Sequence, residues 1–133
     1  MNDDNIRNIV VSMYEICRNF KIDFLPFANK NYPIPPPKLR CGVSRGFVFS
    51  IGDNRDFVGP SINIASRLQK FYSCTFSFSR KGIDPSLFAP GYKEDFIIKK
   101  VIVRGISNAE LICILKSEFD TMPDEEKINF LEP

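Results

Sequence analysis

The chain has 133 residues, enough for one domain of ordinary size and too few for two. Apolar residues are 44% and charged residues 26%, a globular balance, and the net charge of +2 is too weak to argue for nucleic acid or an anionic membrane surface. Histidine is absent, which excludes Ser-His-Asp, Cys-His and His-metal chemistry within this chain.

The elements are read in chain order. Ile6, Ile9, Val10, Met13, Ile16, Cys17 and Phe20 recur at spacings of three and four, one apolar stripe on a helix over 5–20. Asp3, Asp4 or Asn5 can cap its start. Residues 21–38 read as a proline-rich loop, because Pro26, Pro33, Pro35, Pro36 and Pro37 oppose regular helix and central strand alike. A polyproline approach at Ile34 to Pro37 is expected, and the segment 33–37 offers a docking motif as a lesser alternative.

Leu39 to Ile51 reads as paired strands around a turn at Arg45-Gly46, with a second turn at Gly52 to Arg55. Pro60 to Tyr72 reads as a helix that buries Ile62, Ala65 and Leu68. Cys74, Phe76 and Phe78 alternate with Thr75, Ser77 and Ser79, which predicts a half-buried strand. A helical turn is expected within 84–88. Phe96 to Arg104 and Ala109 to Leu115 predict a hairpin around Gly105 to Asn108. Thr121 to Leu131 predicts a terminal helix in the tail 116–133. Helices interleaved with strands predict an α+β class.

Four cysteines at 17, 41, 74 and 113 are spaced by 24, 33 and 39, without a zinc-type pair. No apolar run approaches the ~18 residues of a membrane span. The expectation is a cytoplasmic protein with reduced thiols buried as small hydrophobes, and with no nucleic-acid or membrane partner.

Chemistry concentrates in Asp56 to Leu68. Asn63 and Arg67 lie one helical turn apart, so both can reach one ligand. Arg67 offers a planar fork of donors suited to phosphate, and Asn63 a donor and an acceptor suited to a sugar oxygen. Gly59 and the helix start at Pro60 allow close approach of backbone, and a carboxylate at Asp56 can accept from an exocyclic base amine. Taken alone, an Asn and an Arg on a solvated helix face are usually plain surface.

The string Asp56, Gly59, Asn63, Arg67 resembles the nucleotide-binding segment of class III adenylate/guanylate cyclases, with its base reader, its glycine and its N-x-x-x-R helix. Arg40 to Val48 resembles the family's R-x-G-[IV]-x-x-G-x-V strand and turn, and Val103-Arg104-Gly105-Ile106 its late K-G-[IV] element with Arg for Lys. The likeness covers roughly residues 5–115. Within the family, the segment 56–70 is most similar to bacterial pyrimidine cyclases of the anti-phage Pycsar type.

The resemblance implies a ferredoxin-like palm and conversion of a nucleoside triphosphate to a 3′,5′-cyclic monophosphate and pyrophosphate. It implies a site shared by two cyclase domains, in a homodimer or with a complementing half. Asn63 would orient the ribose and Arg67 would stabilise charge on the α-phosphate. Asp56 would read the base, with Phe57 and Gly59 among the substrate-binding residues, and Arg104 would touch the terminal phosphates. Mg or Mn is expected for the family, but its two metal aspartates lie upstream of every motif matched here. Asp3, Asp4 and Asp53 are not assigned as ligands. The chain thus resembles the C-terminal half of a cyclase domain without its opening strands, inactive alone. The alternative is a non-catalytic remnant or regulatory binding module. Asp56 taken alone favours ATP or CTP; the family likeness also admits UTP.

Overall fold

The computed structural model describes residues 2–34, 39–52, 56–102 and 109–133. The described residues are mixed α and β, 44% helical and 24% strand. The first helix, α1 (Asp3–Asn19), is capped by Asn2, whose side chain accepts from the Asn5 N–H at 2.9 Å, in place of the caps expected one to three residues later. The helical path does not stop at residue 20. It widens into a π turn (Phe20–Phe24) and resumes as α2 (Leu25–Asn31), so 21–31 is helix and not loop. Pro26 falls in the first turn of α2, directly after the π turn, a position that proline tolerates better than a helix interior. Residues 35–38, with Pro35 to Pro37, lie outside the described residues.

Two sheets follow. The main one has four strands: β1 (Cys41–Val43), β4 (Phe76–Ser79), β5 (Phe96–Ile102) and β6 (Ala109–Leu115), in the order β1-β4-β6-β5. The second is a ribbon of β2 (Phe49–Ile51) and β3 (Asp56–Val58). β1 therefore does not pair with 47–51, as the paired-strand reading expects. It runs parallel to β4, with Gly42 opposite Ser77, while β2 pairs antiparallel with β3. A parallel pair needs a crossover, and the ribbon plus α3 (Pro60–Leu68) supply it. The β5–β6 hairpin is antiparallel in the predicted place, from Phe96 opposite Leu115 to Ile102 opposite Ala109. Its connecting turn lies outside the described residues.

Helices cover both faces of the sheet. On one face Val10, Tyr14 and Cys17 of α1 meet Phe76, Phe78, Phe96, Cys113 and Leu115. Tyr14 sits 5.0 Å from the Phe96 ring and 5.5 Å from that of Phe76, and its hydroxyl donates to Asp95 at 2.8 Å. Most of the α1 stripe is thus covered by this chain's own sheet, while Ile9 and Ile16 stay exposed. On the other face Ile64 and Leu68 of α3 meet Cys74, Val101, Ile112 and Ile114, with Met122 and Phe130 from the C-terminal segment.

Because β4 is central and covered twice, its serine side is buried as fully as its phenylalanine side. The half-buried expectation fails for that reason. Ser77 Oγ is buried without a hydrogen-bond partner among the described residues; such a hydroxyl costs about 1–3 kcal/mol relative to one that is paired.

α3 ends at Leu68, short of Tyr72, and 69–73 is turn. The expected terminal helix is instead two short ones, α4 (Lys116–Asp120) and α5 (Asp124–Lys127). Glu118 of α4 is buried, accepting from the Thr75 N–H at 3.0 Å and the Thr75 hydroxyl at 2.8 Å, with Lys21 Nζ at 3.5 Å. This carboxylate ties the C-terminal segment to the entry of β4 and to the π turn. Leu131 then pairs with Lys100 on the outer side of β5 through N–H···O bonds of 2.8 and 2.9 Å.

Candidate functional site

Three polar side chains of the predicted site lie on two elements, Asp56 on β3 and Asn63 and Arg67 on α3. α3 buries Ser61, Ile64 and Leu68, which fixes its rotation and turns Asn63 and Arg67 outward. Both are exposed, one turn apart, as their spacing predicts; Cβ atoms four residues apart on a helix are separated by roughly 5–6 Å. Arg67 lies in the last turn, where a cation also complements the helix dipole. Asp56 opens β3 and is exposed. Among the described residues none of the Asp56, Asn63 and Arg67 side chains has a hydrogen-bond or ion-pair partner.

Glycines set how α3 sits. A Cβ on Gly42 would lie 2.7 Å from the Ala65 carbonyl oxygen and 2.7 Å from Leu68 Cβ, so only glycine lets α3 rest on β1. A Cβ on Gly46 would lie 2.8 Å from Ser61 Cβ. The R-x-G-V-x-x-G spacing thus has a packing cause in this chain. Gly59 starts α3, and a Cβ there would meet the Phe47 carbonyl oxygen at 2.7 Å. What approaches Gly59 on that side is the chain's own 47–48 backbone, not open space for a ligand.

The ribbon separates two of the predicted residues. Alternation along β3 puts Asp56 and Val58 on one face, beside Ile51 and Phe49 of β2, and Phe57 on the other beside Ser50. The side chains of Asp56 and Phe57 therefore leave the ribbon on opposite faces. Arg104 lies outside the described residues.

Sequence reasoning missed the exposed apolar side chains of the ribbon and of the segment leading into it. Phe47 is 89% exposed, Phe49 66% and Phe57 53%, with Val48, Ile51 and Val58 also exposed. Phe47 to Ile51 carry the apolar run of a core strand, yet nothing among the described residues covers them. Apolar side chains exposed on both faces of a two-stranded ribbon favour packing against another molecule. The signal was present as an apolar run bounded by Gly46 and Gly52, with no second apolar run to pair with it.

The site is open. Cavities of about 520, 560 and 630 Å³ lie beside Tyr14 and Lys116, beside Ile9 and Phe47, and beside Ile98 and Pro133. Asn63 and Arg67 line none of these three. Among the described residues no group of three or more Cys, Asp or Glu side chains could hold a metal ion. No described helix is long and apolar enough to cross a membrane. No family model, no curated protein and no solved structure matches the chain.

Proposed function

We propose that this chain is a nucleotidyl cyclase homology domain that presents the Asn63/Arg67 half of a composite site to a second cyclase domain. The observation that carries the reading is that the Asp56, Asn63 and Arg67 side chains are exposed and have no partner among the described residues, in a chain whose β2–β3 ribbon also exposes Phe49 and Phe57. Polar groups free of partners among the described residues can bind a ligand without first breaking bonds, and the exposed apolar side chains of the ribbon give a second domain something to bury.

In this reading a nucleoside triphosphate lies between the two domains and yields a 3′,5′-cyclic monophosphate and pyrophosphate. Arg67 places guanidinium donors against the α-phosphate as its charge grows, and Asn63 holds the ribose. Asp56, on the face opposite Phe57, accepts from a base amine, which favours ATP or CTP, with UTP admitted by the family likeness. The mixed sheet, a parallel β1–β4 pair continued by antiparallel β6 and β5, is compatible with a ferredoxin-like palm.

Among the described residues no group of three or more Cys, Asp or Glu side chains is placed to hold a metal ion; the reading assigns the metal carboxylates to the second domain and routes no step through an ion on this chain. The same observation favours a second reading, a nucleotide-binding regulatory module without turnover. Within the first reading, the particular setting is a cytoplasmic anti-phage pyrimidine cyclase.

The test is a product assay with Mn²⁺ and each of ATP, GTP, CTP and UTP. The purified chain alone is expected to form no cyclic nucleotide. Mixed with a cyclase domain that carries the family's two metal aspartates, it is expected to form one. Product from the chain alone would show that the metal site has been misplaced. Stable association without product from any of the four would favour the regulatory module.

A further inference from the structure

A cavity of about 520 Å³ lies against the C-terminal half of α1, and none of Asp56, Asn63 and Arg67 lines it. Its size falls within the roughly 300–1,000 Å³ of small-molecule sites. The floor is apolar, with Tyr14, Cys17 and Leu115 buried and Ile22 beside them. The walls carry charge of both signs. Arg18, Lys21 and Lys116 bring cations; Glu94, Asp95 and Asp120 bring carboxylates.

Among the described residues none of these cations is ion-paired with any of these carboxylates. Lys21 turns instead to the buried Glu118, at 3.5 Å. Lys116 and Asp120 stand one turn apart on α4 and still do not pair. Opposite charges that line one cavity without meeting leave both signs open to a ligand.

Two of these groups are also held in place. The Tyr14 hydroxyl donates to Asp95 at 2.8 Å. The Arg18 guanidinium lies 5.6 Å from the centre of the Tyr14 ring and 5.9 Å from that of Tyr92. Tyr92 is itself anchored, its hydroxyl donating to Glu15. Burial, then Asp95, push the Tyr14 hydroxyl up to about 12, so it stays a donor at neutral pH. A cation and a carboxylate are thus positioned around one tyrosine before a ligand arrives, which lowers the ordering cost of binding.

The charge pattern selects the ligand. A polyanion would meet three carboxylates here, and a polyamine would meet three cations. A zwitterion satisfies both signs at once. We propose that this cavity binds a free α-amino acid with an apolar side chain, its carboxylate on the Arg18 guanidinium and its ammonium on the Asp95 carboxylate. The planar fork of Arg18 suits the two oxygens of a carboxylate. Leu115 and Ile22 offer the ligand's side chain an apolar floor. Nothing in this rests on Asn63, Arg67 or nucleotide binding.

The test titrates the folded, nitrogen-labelled chain with L-phenylalanine, phenethylamine and 3-phenylpropionate. The three share a ring and differ in which charges they carry. L-Phenylalanine is expected to bind saturably and to shift the Arg18 Nε–H and the backbone N–H of Asp95. Each single-charge analogue is expected to bind about tenfold more weakly or worse, the loss for one hydrogen bond to a charged group. Arg18→Met should weaken L-phenylalanine and 3-phenylpropionate and spare phenethylamine. Asp95→Asn, which keeps an acceptor for Tyr14, should weaken L-phenylalanine and phenethylamine and spare 3-phenylpropionate. The inference is overturned if L-phenylalanine does not bind saturably, if either analogue binds as tightly, or if the two substitutions affect all three ligands alike.

Discussion

Replacing Arg67 with alanine in the complemented assembly is expected to cut turnover by ~10²–10³, the loss seen when a preorganised donor to a developing negative charge is removed. The side chain is exposed and without a partner among the described residues, so its removal breaks no contact that holds the fold. The remaining structural cost is the helix-dipole term at the end of α3, about 0.3–1 kcal/mol. A turnover loss of this size with a nearly unchanged unfolding temperature separates a substrate role from a structural one. Arg67→Lys keeps the charge but not the fork and should recover only part of the rate. Equal turnover in wild type and Arg67→Ala would remove this residue from the site.

The second large effect is on the fold. Gly42→Ala would place a methyl group 2.7 Å from the Ala65 carbonyl oxygen, 2.7 Å from Leu68 Cβ and 2.8 Å from the Gln69 nitrogen. Two of these three atoms are backbone, so the clash is relieved by lifting α3 and not by turning a side chain. Forced overpacking of this kind costs about 1–3 kcal/mol. For a chain of this length that corresponds to a fall of roughly 3–10 °C in unfolding temperature, measurable by calorimetry. Lifting α3 also displaces Asn63 and Arg67 together, so turnover should fall even below the unfolding transition. Gly52→Ala is the control, since nothing lies within 4 Å of a Cβ there; its positive φ of 71° confines the cost to local backbone strain.

How far the sequence led depends on how local the cause was. The α1 stripe was legible because its periodicity is strong, and the strand Ala109–Leu115 because Leu111 to Leu115 form a short continuous apolar run. Asn63 and Arg67 were legible as a pair because helical spacing alone sets them on one face. The helix over 21–31 was hidden by Pro26, whose meaning depends on its position within a turn. The burial of Ser77 and Ser79 was hidden because small polar side chains on a central strand follow what packs above them, here α3. Glu118 could not have been found from its own surroundings in sequence: its partners Thr75 and Lys21 lie far along the chain. The pairing of β1 with β4, in place of the nearer 47–51, is likewise a long-range outcome.

The ribbon carries a further lesson. Phe47, Phe49 and Phe57 have the composition of a core but the exposure of a surface. Composition reports that a side chain will be buried by something, and the chain itself does not say by what. The proposed second domain answers this and the unpartnered polar group with one body.

Nitrogen-labelled chain titrated with nucleoside triphosphate, in the presence of the complementing domain, tests the location of the site most directly. The account predicts that the Asn63 side-chain amide, the Arg67 guanidinium and the backbone N–H of Asp56 shift with nucleotide, while the C-terminal residues 116–133 do not. Shifts confined instead to the cavity beside Tyr14 and Lys116, with Asn63 and Arg67 unmoved, would contradict it.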